Sequence, residues 1–445
     1  ENEISRVIRE DPTCPGLLFV GAETGIFMSS NSGKNWQKLG GNFPVVPVYD
    51  MKIKQDDLVV GTHGRSFWIL DDLTPLRKFA SKSSGSNKGT SGGIQFFPPR
   101  TTFRRTLNWS VNLFLGDGKN YSPDFGLPGT HYQETTPDGE KRFRYLDMGE
   151  NPPEGVIVNY FLESELKQPL ELVILDDDGK EIERFSSNLF DSDPKDKDNK
   201  EEEKPSLPTK LGFNRFVWNM RYPGPEIKID KALEKPGYKQ LGRIAPFGGG
   251  SSGGPVAPPG NYQVQLKTGK TEITHSFEII KDPRLKTTAE DFAEQFNLWT
   301  KIRDKVSATN FAINKIRRIN HQITALLARE IFSNSAAEKK ITEVRKTAET
   351  LREKLSKIEN QLTQNQYETP SDRLRHPTML KERMEALVSV VSVSDASPPE
   401  QAHAVYENLS SKIDDQLALL SKLEKQDLPR VNKQIEQAGI QKLQG

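Results

Sequence analysis

Hydrophobic and polar positions alternate in short bursts over residues 4–78: "ISRVIRE", "LLFVGAE", "GIFMSS", "WQKL", "VYDMKIK", "DLVVGTH" and "RSFWILD". Gly, Pro, Asn or Asp punctuates most of these runs, at the spacing of antiparallel strands joined by tight turns. The first four predict one four-stranded β-propeller blade, and the last three predict the start of another. A propeller closes with about four to eight blades. Residues 1–78 are therefore expected to be terminal blades of an incomplete propeller, with unpaired sheet edges to cover. Either the chain is the C-terminal piece of a larger protein, or a second chain completes the ring.

The alternation stops at "SKSSGSNKGTSGG", and composition assigns 79–94 to a flexible linker. It resumes over 95–282 in "GVIVNYFL", "PLELVILD", "GKEIERFSS", "FNRFVWNMRY", "GNYQVQLKT" and "TEITHSFEII". These predict an immunoglobulin- or fibronectin-like β-sandwich of about seven strands. "DDDGK" at 176–180 is a hairpin signal, and "APPGNYQVQL" turns the chain at Pro-Gly and packs Tyr262 inward. Two insertions read as mobile: 191–205 mixes both charges without apolar anchors, and 246–260 is Gly/Pro low complexity. Residues 100–150 read either as an extra β element or as a long ordered loop.

At "KDPRLKTTAEDFAEQF" the period becomes helical, with Thr288 as N-cap and Asp291 three residues on. Phe292, Phe296, Trp299, Ile302, Val306, Ile313, Ile316, Ile323 and Leu327 mark the first helix. Ile341, Val344, Ala348, Leu351, Leu355, Ile358 and Leu362 make a narrow a/d seam on the second. A third, over about 398–425, carries Val405, Leu409, Ile413, Leu417 and Leu420 on one face, and "DLPRVNKQIEQAG" adds a short closing helix. Residues 283–445 thus predict an antiparallel bundle or coiled-coil hairpin. The "EIFSNSA" turn favours packing within the chain, and pairing of the seam with a second chain is the alternative.

Composition narrows the chemistry. The 445 residues allow about two to four domains. A net charge of +1 gives no global field for nucleic acid or an acidic membrane surface. The single cysteine, Cys14, excludes an internal disulfide and sits in the turn "EDPTCPG" as an exposed bystander. The six histidines are scattered, with no pair at helical ligand spacing. No apolar run reaches transmembrane length, so no membrane span is expected. Residue 1 is Glu, with no signal peptide ahead of the first strand.

The stretch "SSNSGKNW" at 29–36 reads as a self-satisfied turn. Asn31 and Ser29 bond nearby backbone N–H groups, Gly33 supplies a positive φ, and Trp36 covers the turn and fills a gap between neighbouring sheets. Its Ser-x-Asn-x-Gly-x-x-Trp spacing resembles the Asp-box of sialidases, sortilin-like receptors and some glucanase propellers, a structural signature rather than an activity.

In a four-stranded blade the turn between strands two and three lies opposite that Asp-box turn. "ETG" (23–25) and "THGR" (62–65) therefore mark a ligand face, with His63, Arg65 and Glu23 as candidates. Arg65 can clamp a carboxylate or phosphate, and His63 can donate a hydrogen bond or shuttle a proton. The structural alternative pairs Arg65 with Asp71, Asp72 or Glu23 and leaves the histidine capping a strand. Glu23, Asp50, Asp56, Asp57, Asp71 and Asp72 offer no spacing that selects a glycosidase pair, and "DD" doublets read as solvated turns or salt-bridge partners. Trp109, Tyr121, Tyr160, Phe216, Trp218 and Tyr222 can form a sugar platform, but Phe216 and Trp218 share parity and fit a core face better. No catalytic residue, metal ligand or cofactor site is assigned.

"PVVPVYDMKIKQDDLVVGTHGRSFWILDDLTPLR" resembles the last propeller blades of large bacterial sortilin-like proteins with Asp-box (BNR-type) repeats, often labelled "glycosyl hydrolase". "NPPEGVIVNYFL", "GFNRFVWNMRYPGP", "APPGNYQVQL", "KDPR" and "VSDASPPEQAHAVYENL" resemble their C-terminal part. The resemblance implies further blades upstream and an extracytoplasmic, periplasmic or secreted, location. The leading expectation is a protein- or glycan-binding protein. The competing one is a sialidase- or glucanase-like glycoside hydrolase whose catalytic blades lie outside this chain.

Overall fold

The structure, a computed structural model, describes residues 3–83, 93–105, 117–122, 129–135, 141–146, 153–187, 205–230, 233, 253–328, 339–366, 372, 374–439 and 443. Sheets come first along the chain and helices last. Two compact units emerge: Glu1–Arg104 with Gly129–Met220 and Pro259–Asp282, and Arg105–Pro128 with Arg221–Pro258 and Pro283–Gly445.

In the first unit β1 (Ser5–Glu10), β2 (Leu18–Ala22), β3 (Gly25–Ser29) and β4 (Gln37–Lys38) form an antiparallel meander. β5 (Val48–Lys54), β6 (Asp57–Thr62) and β7 (Phe67–Leu70) form a second. Period-2 alternation gives each sheet an inner face. Leu17, Phe19, Ile26 and Met28 of the first meet Val48, Met51, Leu58 and Val60 of the second in one buried cluster. Gly21 lies at the closest approach, where a Cβ would stand 2.5 Å from Val48 Cγ1 and 2.8 Å from Val7 Cγ1. The outer faces carry apolar residues as well, beside charged ones such as Lys38 and Lys52. Ile8, 55 % exposed, aligns with Val20 and Phe27 across the first sheet. Phe67 and Ile69, 78 % and 57 % exposed, stand on the edge strand of the second, Ile69 opposite Val59.

The turn at 29–36 is satisfied as predicted. Ser29 Oγ accepts from Gly33 N at 2.9 Å, Asn31 Oδ1 accepts from Asn35 N at 2.9 Å, and Gly33 has φ 82°. Trp36 covers Gly33 but stays 41 % exposed, so it does not fill a gap between sheets. The aliphatic cluster between the sheets already occupies that space.

Helix α1 (Thr74–Ser83) runs through the boundary expected at 78 and takes up the first residues assigned to a linker, Ile94 at its other end already belongs to a strand, and 84–92 lie outside the described residues. Leu73 and Ala80 join the cluster between the sheets. Arg77 pins the helix: its Nε donates to buried Asp11 Oδ2 at 2.8 Å, Nη1 pairs with Asp56, and Nη2 donates to Gln55 O at 3.1 Å. Asp11 Oδ1 also accepts from the backbone N–H groups of Thr13 (2.8 Å) and Cys14 (2.9 Å). Burial pushes the Asp11 carboxyl up, but the bonds from Arg77 and Thr13 outweigh it and hold the group below its ordinary range. Cys14 is a half-buried member of this joint rather than an exposed bystander, with Sγ 3.7 Å from Arg77 O.

Downstream lie β8 (Ile94–Phe96), β9 (Thr102–Arg104), β10 (Gly118–Ser122, in the second unit), β11 (Gly129–Thr135), β12 (Lys141–Tyr145), β13 (Val156–Leu162), β14 (Glu171–Leu175), β15 (Glu181–Ser186), β16 (Gly212–Trp218), β17 (Gly260–Thr268) and β18 (Thr271–Lys281). One sheet has the order β16-β13-β8 and another β15-β14-β17-β18-β9. Within 100–150 the described residues are thus largely strand: β9 pairs in parallel with β18, and β11 pairs with β12. The "DDDGK" hairpin closes through Lys180 N on Asp176 Oδ1 at 2.8 Å. Trp218 is fully buried against Tyr262 and Phe277 across the two sheets, and Phe216 packs on Phe185, so these rings are core. Tyr160 is buried too, whereas Trp109, the Tyr121 side chain and 191–204 lie outside the described residues.

The second unit carries α2 (Ala289–Leu327), α3 (Lys339–Leu362), α4 (Leu380–Val391), α5 (Glu400–Lys422), a π-helical turn (Leu423–Asp427) and α6 (Leu428–Gln437). Thr288 and Asp291 form the predicted reciprocal cap. The seam Val344, Ala348, Leu351, Leu355, Ile358 and Leu362 is buried in one core with residues of α2, α4, α5 and α6. The chain's own helices therefore bury these six residues, with Ile341 only partly buried at the start of the seam. Val405 is 45 % exposed and does not belong to the buried face of α5. Of the insertion assigned to 246–260, residues 246–252 lie outside the described residues. The remainder is ordered: Val256 bridges Arg221, and Ala257 is fully buried. No helix among the described residues is long and apolar enough to cross a membrane.

Two predictions follow from the first unit's joints. Gly21→Ala overpacks against stiff, buried Val48 and costs about 1–3 kcal/mol in urea unfolding; adding Val48→Ala recovers part of that loss, and a double-mutant cycle reads the coupling. Arg77→Met leaves Asp11 buried without its partner and costs about 3–5 kcal/mol at pH 7. The native Asp11 pKa is depressed, so this stabilisation is complete above the ordinary value of 3.8 and fades as pH falls through the lowered one. The gap between wild type and variant, followed by melting temperature, therefore narrows below about pH 4.

Candidate functional site

Each of the first two sheets begins with a strand interrupted at the same place. In β1, Ser5 pairs with Ala22 and Val7 with Gly21, leaving Arg6 as the extra residue. In β5, Val48 pairs with Thr62 and Asp50 with Gly61, leaving Tyr49 as the extra residue. A bulge re-aims its unpaired side chain, and these two side chains converge. The Arg6 guanidinium lies 4.5 Å from the Tyr49 ring centroid.

The turns that follow each partner strand complete a row. Arg6 Nε donates to Glu23 Oε1 at 2.7 Å, with Nη2 on the same oxygen. The rings of Tyr49 and His63 lie 4.9 Å apart at 40°. Glu23, Arg6, Tyr49 and His63 thus run across both sheets, at the end away from α1 and the 29–36 turn. His63 is exposed, with its N–H on Pro47 O at 3.0 Å, and Tyr49 is 47 % exposed. Arg65 does not pair with Asp71, Asp72 or Glu23. Its guanidinium is exposed and makes no ion pair among the described residues, while its carbonyl accepts from Trp68 Nε1 at 3.0 Å. The structure brings the predicted Glu23 and His63 into one row, bridged by Arg6 and Tyr49, which the pattern of residues did not single out. A further signal lies in the parallel between "LFVGAETG" and "LVVGTHGR", which puts Glu23 and His63 at matching positions.

Chemically this end is built for contact. Glu23 is held by Arg6, and Asp50 by Arg9 at 2.6 Å. A glycosidase pair needs one carboxyl group free to carry a proton, and these two are engaged as acceptors. No group of three or more His, Cys, Asp or Glu among the described residues can hold a metal ion.

Two other regions were natural places to look. Asp72 is buried with φ 65°; its Oδ1 accepts from Thr74 N at 3.1 Å, and its N–H donates to Asp57 Oδ1 at 2.9 Å. Arg100 binds the same Asp57 oxygen at 3.0 Å, so this "DD" doublet is a structural node and not a solvated turn. Burial and the charge of Asp57 push the neighbouring Asp71 carboxyl above its ordinary range, against the pull of Arg100 and Arg215. In the helical unit a groove of about 810 Å³ is lined by Ile227, Phe311, Leu417 and Leu420. Four of its charged groups are matched internally, Lys315 to Glu424 and Arg303 to Asp304, each at 2.8 Å, and Glu226 also lines it.

A raised native pKa means that the folded state binds the Asp71 proton more tightly than the unfolded chain does. Stability from this group is greatest below 3.8 and declines as pH rises through the raised value. Asp71→Asn is expected to be at least as stable as wild type at pH 7, with a melting temperature that no longer falls across that window. A loss of stability at pH 7 would contradict this assignment.

No family model, curated protein or solved structure matches this chain.

Proposed function

We propose that this chain belongs to an extracytoplasmic binding protein that recognises a protein or glycan ligand through the end face bearing Glu23, Arg6, Tyr49 and His63. In this reading the first two sheets are neighbouring blades of a sortilin-like, Asp-box propeller. The sheets around Trp218 are an immunoglobulin- or fibronectin-like sandwich acting as a spacer, and the helices are a terminal antiparallel bundle.

The observation that carries the reading is the paired bulges. Two successive sheets spend a ladder position at the same point to send Arg6 and Tyr49 into one surface row. Apolar residues on both outer faces support the arc: Ile8 on one side and Phe67 with Ile69 on the other need a neighbour, which further blades or a second chain would provide. The extracytoplasmic location follows from the family resemblance. Ion pairing of Glu23 and Asp50 weighs against hydrolysis at this face.

The test combines a glycan and secreted-protein array with a panel of aryl glycosides, all on the full chain. Binding is expected without turnover, and Tyr49→Ala or His63→Ala should weaken it about tenfold at unchanged melting temperature. Steady turnover of any aryl glycoside, abolished by Glu23→Gln, would replace the binding reading with the hydrolase one.

A further inference from the structure

We infer that the groove of the helical unit is a binding site for a small cationic amphiphile, an apolar body carrying one positively charged head. Every residue that lines it belongs to the second unit, so the site is independent of the end face of the first.

The walls of the groove are built before any ligand arrives. Along one side runs the stretch 223–230, which α2 holds through side chains one helical turn apart. Ser307 Oγ accepts from Ile227 N at 2.9 Å, and buried Asn310 donates through Nδ2 to Ile227 O at 2.9 Å. Buried Asn314 grips the next residues from both sides, donating to Lys228 O at 2.7 Å and accepting from Asp230 N at 2.9 Å. On the other side α5 supplies Leu417 and Leu420. Lys315 then ties α2 to the π-helical turn at Glu424. From α2 itself come Ala308 and Phe311, and the Phe311 ring is 53 % exposed to the open space.

This space has the size and lining of a small-molecule site. Its volume of about 810 Å³ lies within the roughly 300–1,000 Å³ of such clefts. Ile227, Phe311, Leu417 and Leu420 call for an apolar body. The sign of the head follows from the lining charges. Lys315 is matched by Glu424 and Arg303 by Asp304, whereas Glu226 makes no ion pair among the described residues. The lining therefore carries one uncompensated negative charge. A sulfate or carboxylate head would meet Glu226 with both lining cations already engaged, and a cationic head supplies the missing partner.

Isothermal titration calorimetry of the full chain tests this with three amphiphiles of equal chain length, each below its micelle concentration. These are decyltrimethylammonium, the neutral decyldimethylphosphine oxide and decyl sulfate. The cation should bind one-to-one, about fivefold tighter than the neutral head, with the sulfate weakest. Glu226→Gln should make cation and neutral head bind alike. Phe311→Ala should weaken both about tenfold. Ala308→Trp, which fills the groove from an exposed position, should abolish the one-to-one site at unchanged melting temperature. Binding that survives both Ala308→Trp and Phe311→Ala overturns the site. Equal or tighter binding of the sulfate overturns the ligand class, and silence toward all three overturns the proposal. Self-association seen by light scattering and lost in Ala308→Trp also overturns it, because a second copy then occupies the groove.

Discussion

A β-strand has two faces. In the first two sheets the inner face is apolar, while the outer one sets exposed Ile8, Phe67 and Ile69 among charged residues such as Lys38 and Lys52. That constraint organises the first part of the molecule. The inner faces meet so closely that Gly21 must lack a side chain where Val48 and Val7 press in. Phe19 and its aliphatic neighbours already fill the space between the sheets, and Trp36 covers its own turn instead. Hydrophobic burial alone would let two such layers slide, because it has no direction. Direction comes from Arg77, whose fork reaches the β1–β2 turn at Asp11 and the β5–β6 turn at Asp56 and Gln55. One guanidinium on one helix thereby fixes the register of two sheets.

With one end closed by α1, the opposite end is free to carry chemistry. A regular strand would send the side chains at positions 6 and 49 into the alternation of its own sheet. A bulge breaks that alternation at the cost of ladder hydrogen bonds. The same cost is met in both sheets at the same level, and the two freed side chains touch. Glu23 and His63 then lock the pair from outside.

Turn chemistry is local, and it was readable: Ser29, Asn31, Gly33, the Asp176 hairpin and the Thr288–Asp291 cap all bond within a few residues of themselves. The turns bearing Glu23 and His63 were placed by the order of strands, since successive turns of a meander alternate between its two ends. Arg6 and Tyr49 were not, because a bulge is a property of two paired strands and leaves no mark in either one alone. Composition misled in a different way. The expected linker opens with α1 because Leu73 and Ala80 have a core to bury in, and the Gly/Pro-rich insertion ends in order because Ala257 does. The narrow heptad seam of α3 left its partner open, and tertiary packing against α2 decided it. Helix α4 has Met379 at its N-cap, a residue type that gives no start signal, and its one side-chain cap comes from Glu382, which accepts from Met379 N at 3.2 Å, so periodicity passed over it.

The distribution of charge separates recognition from catalysis more sharply than the fold does. Catalysis by carboxylates needs one group whose proton affinity is raised beside the reacting bond. The carboxyl group that burial raises, Asp71, stands beside the node that joins β6 and α1, whereas at the exposed end Glu23 and Asp50 are tied to arginines and Glu3 accepts from Thr24 Oγ1. Strain follows the same division. Asp72 holds its left-handed conformation to start α1, whereas Ser66 holds its own to aim His63 and Arg65 outward. A left-handed residue without the freedom of glycine persists when surrounding bonds over-determine it. At Ser66 those bonds stabilise an orientation toward solvent, which is what a preformed contact surface requires.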